Sequence, residues 1–118
     1  MSTILNQSKV CEQPLTEVLW SDKNYKCELH FAEQTGKWTL GYHFTIEGCG
    51  EGCGGSGCLP CFNEYRTQYE TMMAARKEGI ARAIDFFKQK NLYHGFHCLE
   101  LISMLEVENL PKQLSLFN

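Results

Sequence analysis

Four cysteines lie close together in the segment CGEGCGGSGCLPC, at Cys49, Cys53, Cys58 and Cys61. Zinc in proteins takes four ligands in a tetrahedron, and two pairs of close cysteines joined by a bend supply that set. Because cysteine fills all four positions, no place remains for water, and the predicted Zn²⁺ is structural rather than catalytic. Glycines beside the ligands suit tight turns, and the metal would order a loop that lacks order of its own.

The same thiols have other possible uses, which the sequence leaves open. They could stay free, form disulfides, or hold an iron–sulfur cluster. The chain has seven cysteines, an odd number, and its first residues, MSTILNQSKV, lack the basic start and apolar stretch of a secretory signal. We therefore expect a cytoplasmic protein, because reducing conditions favour metal ligands over disulfides. Cys11 and Cys27 are expected to be isolated structural residues.

Histidines offer further ligands. His43 is an alternative ligand of the same metal, although a polar strand position also suits a solvated side chain. His94, His97 and Cys98 form a second cluster, and on one helix the two histidines would share a face. Surface histidines beside a buried thiol are the competing interpretation.

A hairpin is predicted immediately before the cysteine loop. Apolar and polar residues alternate over residues 25–32 and again over residues 38–47, around a turn at residues 33–36. This pattern predicts two antiparallel strands with one aromatic face that must be covered and one polar face that meets water. A third short strand near Tyr65 is also possible. Upstream, residues 14–20 predict only a turn or two of helix, with Leu15, Val18 and Leu19 facing inward.

Two helices are predicted after the loop. Apolar residues at three- and four-residue steps predict a long helix over residues 64–90, capped by Thr67 or Thr71. Its predicted inward stripe contains Tyr69, Met72, Met73, Ile80, Ala83, Ile84 and Phe87. Gly79 inside this helix suggests a close packing contact. The Gly-rich residues 48–60, by contrast, predict no regular element.

The second helix is predicted to be shorter, over residues 93–107, and Pro111 prevents its continuation. Its predicted apolar surface consists of Phe96, Leu99, Leu101, Ile102 and Leu105. The expected fold class is therefore α+β: an antiparallel β-hairpin packed against one long and one shorter helix, with a four-cysteine zinc loop. Residues 1–111 would form one domain and residues 112–118 a peptide tail.

The tail carries a short motif, QLSLF, which is formed by Gln113, Leu114, Ser115, Leu116 and Phe117. It resembles the pentapeptide with which bacterial polymerases, mismatch-repair proteins and replication regulators bind the DNA sliding clamp. The resemblance covers these five residues alone. It implies that Leu116 and Phe117 enter an apolar pocket of the clamp while Gln113 forms hydrogen bonds at its edge. The alternative is a last turn whose apolar side chains pack on the hairpin.

The predicted function is a small, non-catalytic accessory protein, borne by a phage or other mobile element, that binds the bacterial sliding clamp. No nucleophile with an adjacent base and no phosphate-cradling loop is present, and no apolar run is long enough to span a membrane. The alternative function is a zinc-stabilised nucleic-acid-binding protein that uses a basic helix face. That face contains Arg76, Lys77, Arg82, Lys88 and Lys90, although the net charge of the chain is −3.

Overall fold

The structure is a computed structural model of the chain, and it describes residues 9–46, 55–62, 66–94 and 98–109. The α+β prediction is confirmed, since the fold contains an antiparallel sheet with strand order β1-β2-β3-β4 and two helices. The elements are β1 (Leu15–Ser21), β2 (Tyr25–Gln34), β3 (Lys37–Ile46), β4 (Gly55–Cys58), α1 (Met72–His94) and α2 (Leu99–Glu108). The chain divides into two compact units, residues 1–79 and residues 80–118.

The predicted hairpin is confirmed as β2 and β3. Gln34 pairs with Lys37, so the turn consists of Thr35 and Gly36 alone. Both turn residues have positive φ, 50° for Thr35 and 82° for Gly36. Two positive φ values match a type I′ turn, whose twist agrees with that of the strands it joins. Glycine accepts such a φ without steric cost, which explains Gly36.

The apolar face of the hairpin lies beneath the start of α1. Leu29, Phe31, Leu40 and Phe44 are buried, as predicted for this face. A Cβ atom placed on Gly79 of α1 would lie 2.8 Å from Leu29 Cδ2 and 3.0 Å from Leu40 Cδ1. The helix therefore approaches the sheet closely at Gly79, which confirms the predicted packing contact.

The prediction of helical turns over residues 14–20 is wrong, because these residues form β1. β1 pairs with β2 from Leu15, opposite Phe31, to Ser21, opposite Lys26. Leu15 is 59% exposed and Val18 54%, so neither faces inward as predicted. The register shifts between Val18 and Trp20. Even the regularly paired residues 15–18 read apolar, polar, polar, apolar, so this strand lacks the two-residue period that would have revealed it.

The prediction that the Gly-rich segment forms no regular element is also wrong at its end, where β4 pairs with β3. Cys58 lies opposite Tyr42 and Gly55 opposite Thr45. Glycine is disfavoured in strands, so the sequence did not indicate β4. The strand forms because its backbone can hydrogen-bond to the available edge of β3. Tyr65, the predicted site of a third strand, lies outside the described residues.

The outer side of β3 continues past β4 with other partners. An Arg66 Nη2 atom donates to the Leu40 carbonyl oxygen at 2.9 Å. Trp38 and Tyr69 then form an isolated antiparallel bridge, with N···O distances of 2.8 and 2.7 Å. Along this side of β3, the partners in order are therefore strand β4, the Arg66 guanidinium and the backbone of Tyr69.

The polar face of the hairpin differs from the prediction, because water does not reach all of it. Ala32 and Thr39 are fully buried there. The Thr39 Oγ1 atom donates to the Cys61 carbonyl oxygen at 2.9 Å. A Cβ atom on Gly41 would lie 2.5 Å from the Cys58 carbonyl oxygen and 2.7 Å from Pro60 N. The segment after β4 therefore crosses this face.

Helix α1 begins at Met72, later than predicted, and Thr71 is its N-cap. The Thr71 Oγ1 atom accepts a hydrogen bond from the Ala74 N–H at 3.0 Å, which confirms one of the two predicted caps. Of the predicted inward stripe, Ile80, Ala83 and Phe87 are buried, whereas Met73 is exposed. The helix continues beyond the predicted end to His94.

Helix α2 begins at Leu99, six positions after the predicted start at residue 93. Leu101, Ile102 and Leu105 are buried as predicted, but Leu99 is exposed. Phe96 lies outside the described residues. The Asn109 N–H donates to the Leu105 carbonyl oxygen at 3.1 Å, which closes the last turn of the helix.

Candidate functional site

The end of β4 places Cys58 beside a basic side chain. An Arg66 Nη2 atom lies 3.1 Å from Cys58 Sγ, and the same atom donates to the Leu40 carbonyl oxygen. Cys58 is half-buried. The Cys58 sulfur therefore has a charged N–H donor beside it, and contacts of this kind also orient metal-bound side chains.

Cys61 occupies a different environment, because it is buried. Residues on either side of it pair with the N-terminal segment: Cys11 N donates to the Pro60 carbonyl oxygen and Phe62 N to the Lys9 carbonyl oxygen, both at 2.9 Å. Cys61 itself forms an antiparallel bridge with Val10. The backbone at Cys61 is therefore held on both sides.

The structure describes two of the four predicted zinc ligands. Cys49 and Cys53 lie outside the described residues, in the connection between β3 and β4. Cys58 and Cys61 are thiols rather than halves of a disulfide. In the described part of the chain, no group of three or more His, Cys, Asp or Glu side chains could hold a metal ion. Cysteine sulfur is a residue type that zinc binds, and one of the two described sulfurs, that of Cys58, has an N–H donor.

A groove of about 680 Å³ adjoins Cys58 on the same side of the sheet as His43. Its lining residues are Glu28, His30, Tyr42, His43, Thr45, Ser56, Gly57, Cys58 and Leu59. The Glu28 Oε1 atom lies 3.8 Å from His30 Nε2 and 3.8 Å from His43 Nδ1. Glu28 and His43 are opposite each other on β2 and β3. The groove thus brings a carboxylate between two imidazoles.

His30 is the more buried of the two histidines. Its side chain is 14% exposed, against 48% for His43. The His30 Nδ1 atom lies 2.9 Å from Thr16 Oγ1. Burial lowers the pKa of His30, and Glu28 opposes this shift only in part. At neutral pH the His30 imidazole is therefore uncharged.

Glu28, His30 and His43 meet in the groove, and of these three the sequence indicated only His43 as a candidate ligand. Glu28 and His30 were assigned to the polar face of the hairpin, but nothing marked them as neighbours of the histidine. The observed register places Glu28 directly opposite His43; it follows from a two-residue turn, whereas the predicted turn covered residues 33–36. No sequence signal marked Arg66, because its contact with Cys58 depends on the path of the chain after β4.

The predicted cluster of His94, His97 and Cys98 does not lie on one helix. Helix α1 ends at His94 and α2 begins at Leu99, while His97 lies outside the described residues. Cys98 is buried, as one of the two interpretations required, and its Sγ lies 3.4 Å from the Phe87 carbonyl oxygen. Burial raises the pKa of the Cys98 thiol and raises that of Cys27 to about 12. Both thiols are therefore poor nucleophiles at neutral pH.

Two side chains of the predicted basic face form contacts with acidic residues. Arg76 makes a bidentate pair with Glu17, with Nε–Oε1 and Nη2–Oε2 distances of 2.8 and 2.9 Å. Lys88 Nζ lies 3.4 Å from Glu106 Oε2. A nucleic-acid phosphate would have to compete with these carboxylates.

The predicted clamp-binding residues, Gln113, Leu114, Ser115, Leu116 and Phe117, lie outside the described residues. No described helix is both long enough and apolar enough to cross a membrane. Comparisons of the chain with protein-family models, curated proteins and solved structures found no match.

Proposed function

We propose that this chain is a small, non-catalytic accessory protein that binds the bacterial DNA sliding clamp through residues 113–117. The QLSLF motif supports the proposal most directly, because its two apolar residues and its glutamine are the types that such a peptide requires. A phage or another mobile element would be its source. The clamp is a cytoplasmic partner, so the cytoplasm is the proposed location.

The position of the motif relative to α2 supports this proposal. The last turn of α2 closes at Asn109, and Pro111 follows, which cannot donate a backbone hydrogen bond to extend a helix. Gln113 comes two residues later. A peptide ligand needs a short separation of this kind from the helix before it, so that its side chains can enter a partner's pocket. Ordering the peptide on binding costs free energy, so we expect a modest affinity.

We also propose that Cys49, Cys53, Cys58 and Cys61 bind one structural Zn²⁺ ion. The contact between Arg66 and Cys58 supports this proposal, since N–H donors to a metal-bound sulfur stabilise its thiolate form. When bound, zinc would tie the connection between β3 and β4 to the segment that crosses the polar face. It would have no catalytic part.

Surface-immobilised bacterial clamp provides the test of the partner. The full chain should bind, and Leu116→Ala with Phe117→Ala should weaken binding at least tenfold, because two buried apolar anchors are lost. Leu99→Ala is the matched control, since Leu99 is an exposed leucine of α2. If the full chain does not bind the clamp, or if the double variant binds equally well, the proposed function is wrong.

Metal analysis tests the zinc proposal separately. We expect about one zinc per chain after purification without added metal, and loss of that zinc in Cys58→Ser. Iron with a brown colour would replace the zinc proposal with an iron–sulfur cluster. Salt-sensitive DNA binding without any clamp would favour the nucleic-acid alternative, which the engaged side chains of Arg76 and Lys88 do not favour.

A further inference from the structure

The groove beside Cys58 contains the Glu28 carboxylate, which lies near two histidines. The Glu28 side chain is only 19% exposed, and its nearest basic atoms are imidazole nitrogens at 3.8 Å, beyond hydrogen-bonding distance. Within the described residues, no lysine or arginine forms an ion pair with it. A partly buried carboxylate that receives no hydrogen bond from a described side chain is open to a donor on a ligand.

A second polar group in the groove also lacks a partner. The Thr45 Oγ1 atom is buried and makes no hydrogen bond within the described structure. Thr45 and Glu28 project from the same face of neighbouring strands, because Thr45 lies two residues beyond His43, the residue opposite Glu28. Carboxylate and hydroxyl are both hydrogen-bond acceptors, so together they suit a ligand that donates.

The electrostatics of the groove favour a cation as that ligand. Burial lowers the pKa of His30, so at neutral pH this imidazole does not neutralise Glu28. Glu28, His30 and His43 are residue types that bind metals, but they are not arranged as a group that could hold a metal ion. An ammonium group instead needs acceptors at hydrogen-bonding distances, which a carboxylate, an imidazole and a hydroxyl supply.

From this arrangement we propose that the groove binds a primary ammonium cation, with the Glu28 carboxylate as its counter-ion and Thr45 and His43 as further acceptors. The ammonium belongs either to a small free amine or to a lysine side chain of a partner. The groove volume of about 680 Å³ lies within the range of small-molecule sites. This site is separate from residues 113–117, so it does not depend on clamp binding.

The experiment is a titration of the full chain with n-propylammonium chloride, followed by amide and histidine side-chain NMR signals. Saturable shifts are expected at Thr45, His43 and Gly57, which line the groove. Glu28→Gln should weaken binding at least tenfold, because a charge-assisted hydrogen bond is lost. Thr45→Val should weaken it about threefold, as expected for one neutral hydrogen bond. Glu100→Gln, a change at an exposed position on α2, should leave binding unchanged.

Three further ligands test the proposal in the same titration. Tetramethylammonium has the charge but no N–H donor and should bind at least tenfold more weakly than propylammonium; equal binding would overturn the proposal. Signal broadening by Mn²⁺ at the groove, without any propylammonium shift, would also overturn it. Tighter binding of Nα-acetyl-lysine methylamide than of propylammonium would assign the groove to a partner's lysine, and weaker binding would assign it to a free amine.

Discussion

The two faces of the β2–β3 hairpin are covered by different parts of the chain, and a glycine marks the closest approach on each. On the apolar face, Gly79 of α1 meets the ends of the Leu29 and Leu40 side chains. On the polar face, Gly41 meets backbone atoms of Cys58 and Pro60. Side-chain ends can move by small rotations, whereas a crossing backbone segment cannot. The polar face should therefore tolerate substitution less, although the apolar face contains more of the hydrophobic core.

The largest expected effect is that of Gly41→Ala. The new Cβ would lie 2.5 Å from the Cys58 carbonyl oxygen, so the crossing segment must move away. We expect the free energy of unfolding to fall by about 3 kcal/mol or more, at the upper end of overpacking effects. Urea denaturation followed by circular dichroism measures this change. If Gly41→Ala lowers the free energy of unfolding by less than Gly79→Ala does, the polar face is the more tolerant of the two, and the comparison is wrong.

Thr39→Val tests the same face through its buried hydrogen bond to the Cys61 carbonyl oxygen. Valine has a similar shape but no hydroxyl, so the expected loss of stability is about 2 kcal/mol. Thr39→Ser retains the hydroxyl and is the control. The two variants should differ by urea denaturation, and equal stabilities would show that the hydrogen bond does not hold the crossing segment.

Gly79→Ala tests the apolar face. Alanine favours a helix by about 1 kcal/mol over glycine, but its Cβ would meet Leu29 Cδ2 at 2.8 Å. Crowding by flexible side chains costs about 2 kcal/mol, so we expect a net loss of about 1 kcal/mol in the free energy of unfolding. A variant more stable than the original chain would show that the helix and sheet can separate slightly at little cost.

The smallest effect is a pH dependence at Cys27, on the apolar face opposite Phe44. Burial raises the pKa of this thiol from 9.0 to about 12. A raised pKa contributes stability that is complete below pH 9.0 and is lost as the pH rises towards 12. Near pH 10 the loss should be about 1 kcal/mol. Cys27→Val should lack this part of the decline, and parallel pH profiles for the two chains would contradict the burial of the thiol.

The sequence predicted the hairpin correctly because its alternation is uninterrupted and its turn is local. β1 was missed because Leu15 and Val18 lie three positions apart without alternation, so that only pairing with β2 reveals the strand. β4 was missed for a related reason: glycine and serine form a strand there because the edge of β3 is available. Local propensity could not predict either strand, since the partner lies elsewhere in the chain.

The candidate site was predictable only as residue types. The cysteine spacing and His43 could be read from the sequence, but the Arg66 contact with Cys58 requires knowledge of where the chain turns after β4. The Thr45 hydroxyl, which has no hydrogen-bond partner among the described residues, was equally inaccessible, because an unsatisfied polar group is defined by its surroundings. Chemistry that depends on an absence of contacts cannot be recognised from a motif.

The partners that cover the outer side of β3 affect how copies of the chain behave at high concentration. An uncovered strand edge recruits strands from other molecules and so initiates aggregation. Here β4, the Arg66 guanidinium and the Tyr69 backbone occupy that edge in turn. Arg66 therefore does more than contact a cysteine: by occupying the Leu40 carbonyl oxygen, it also makes this part of the edge a poor template for intermolecular β-pairing.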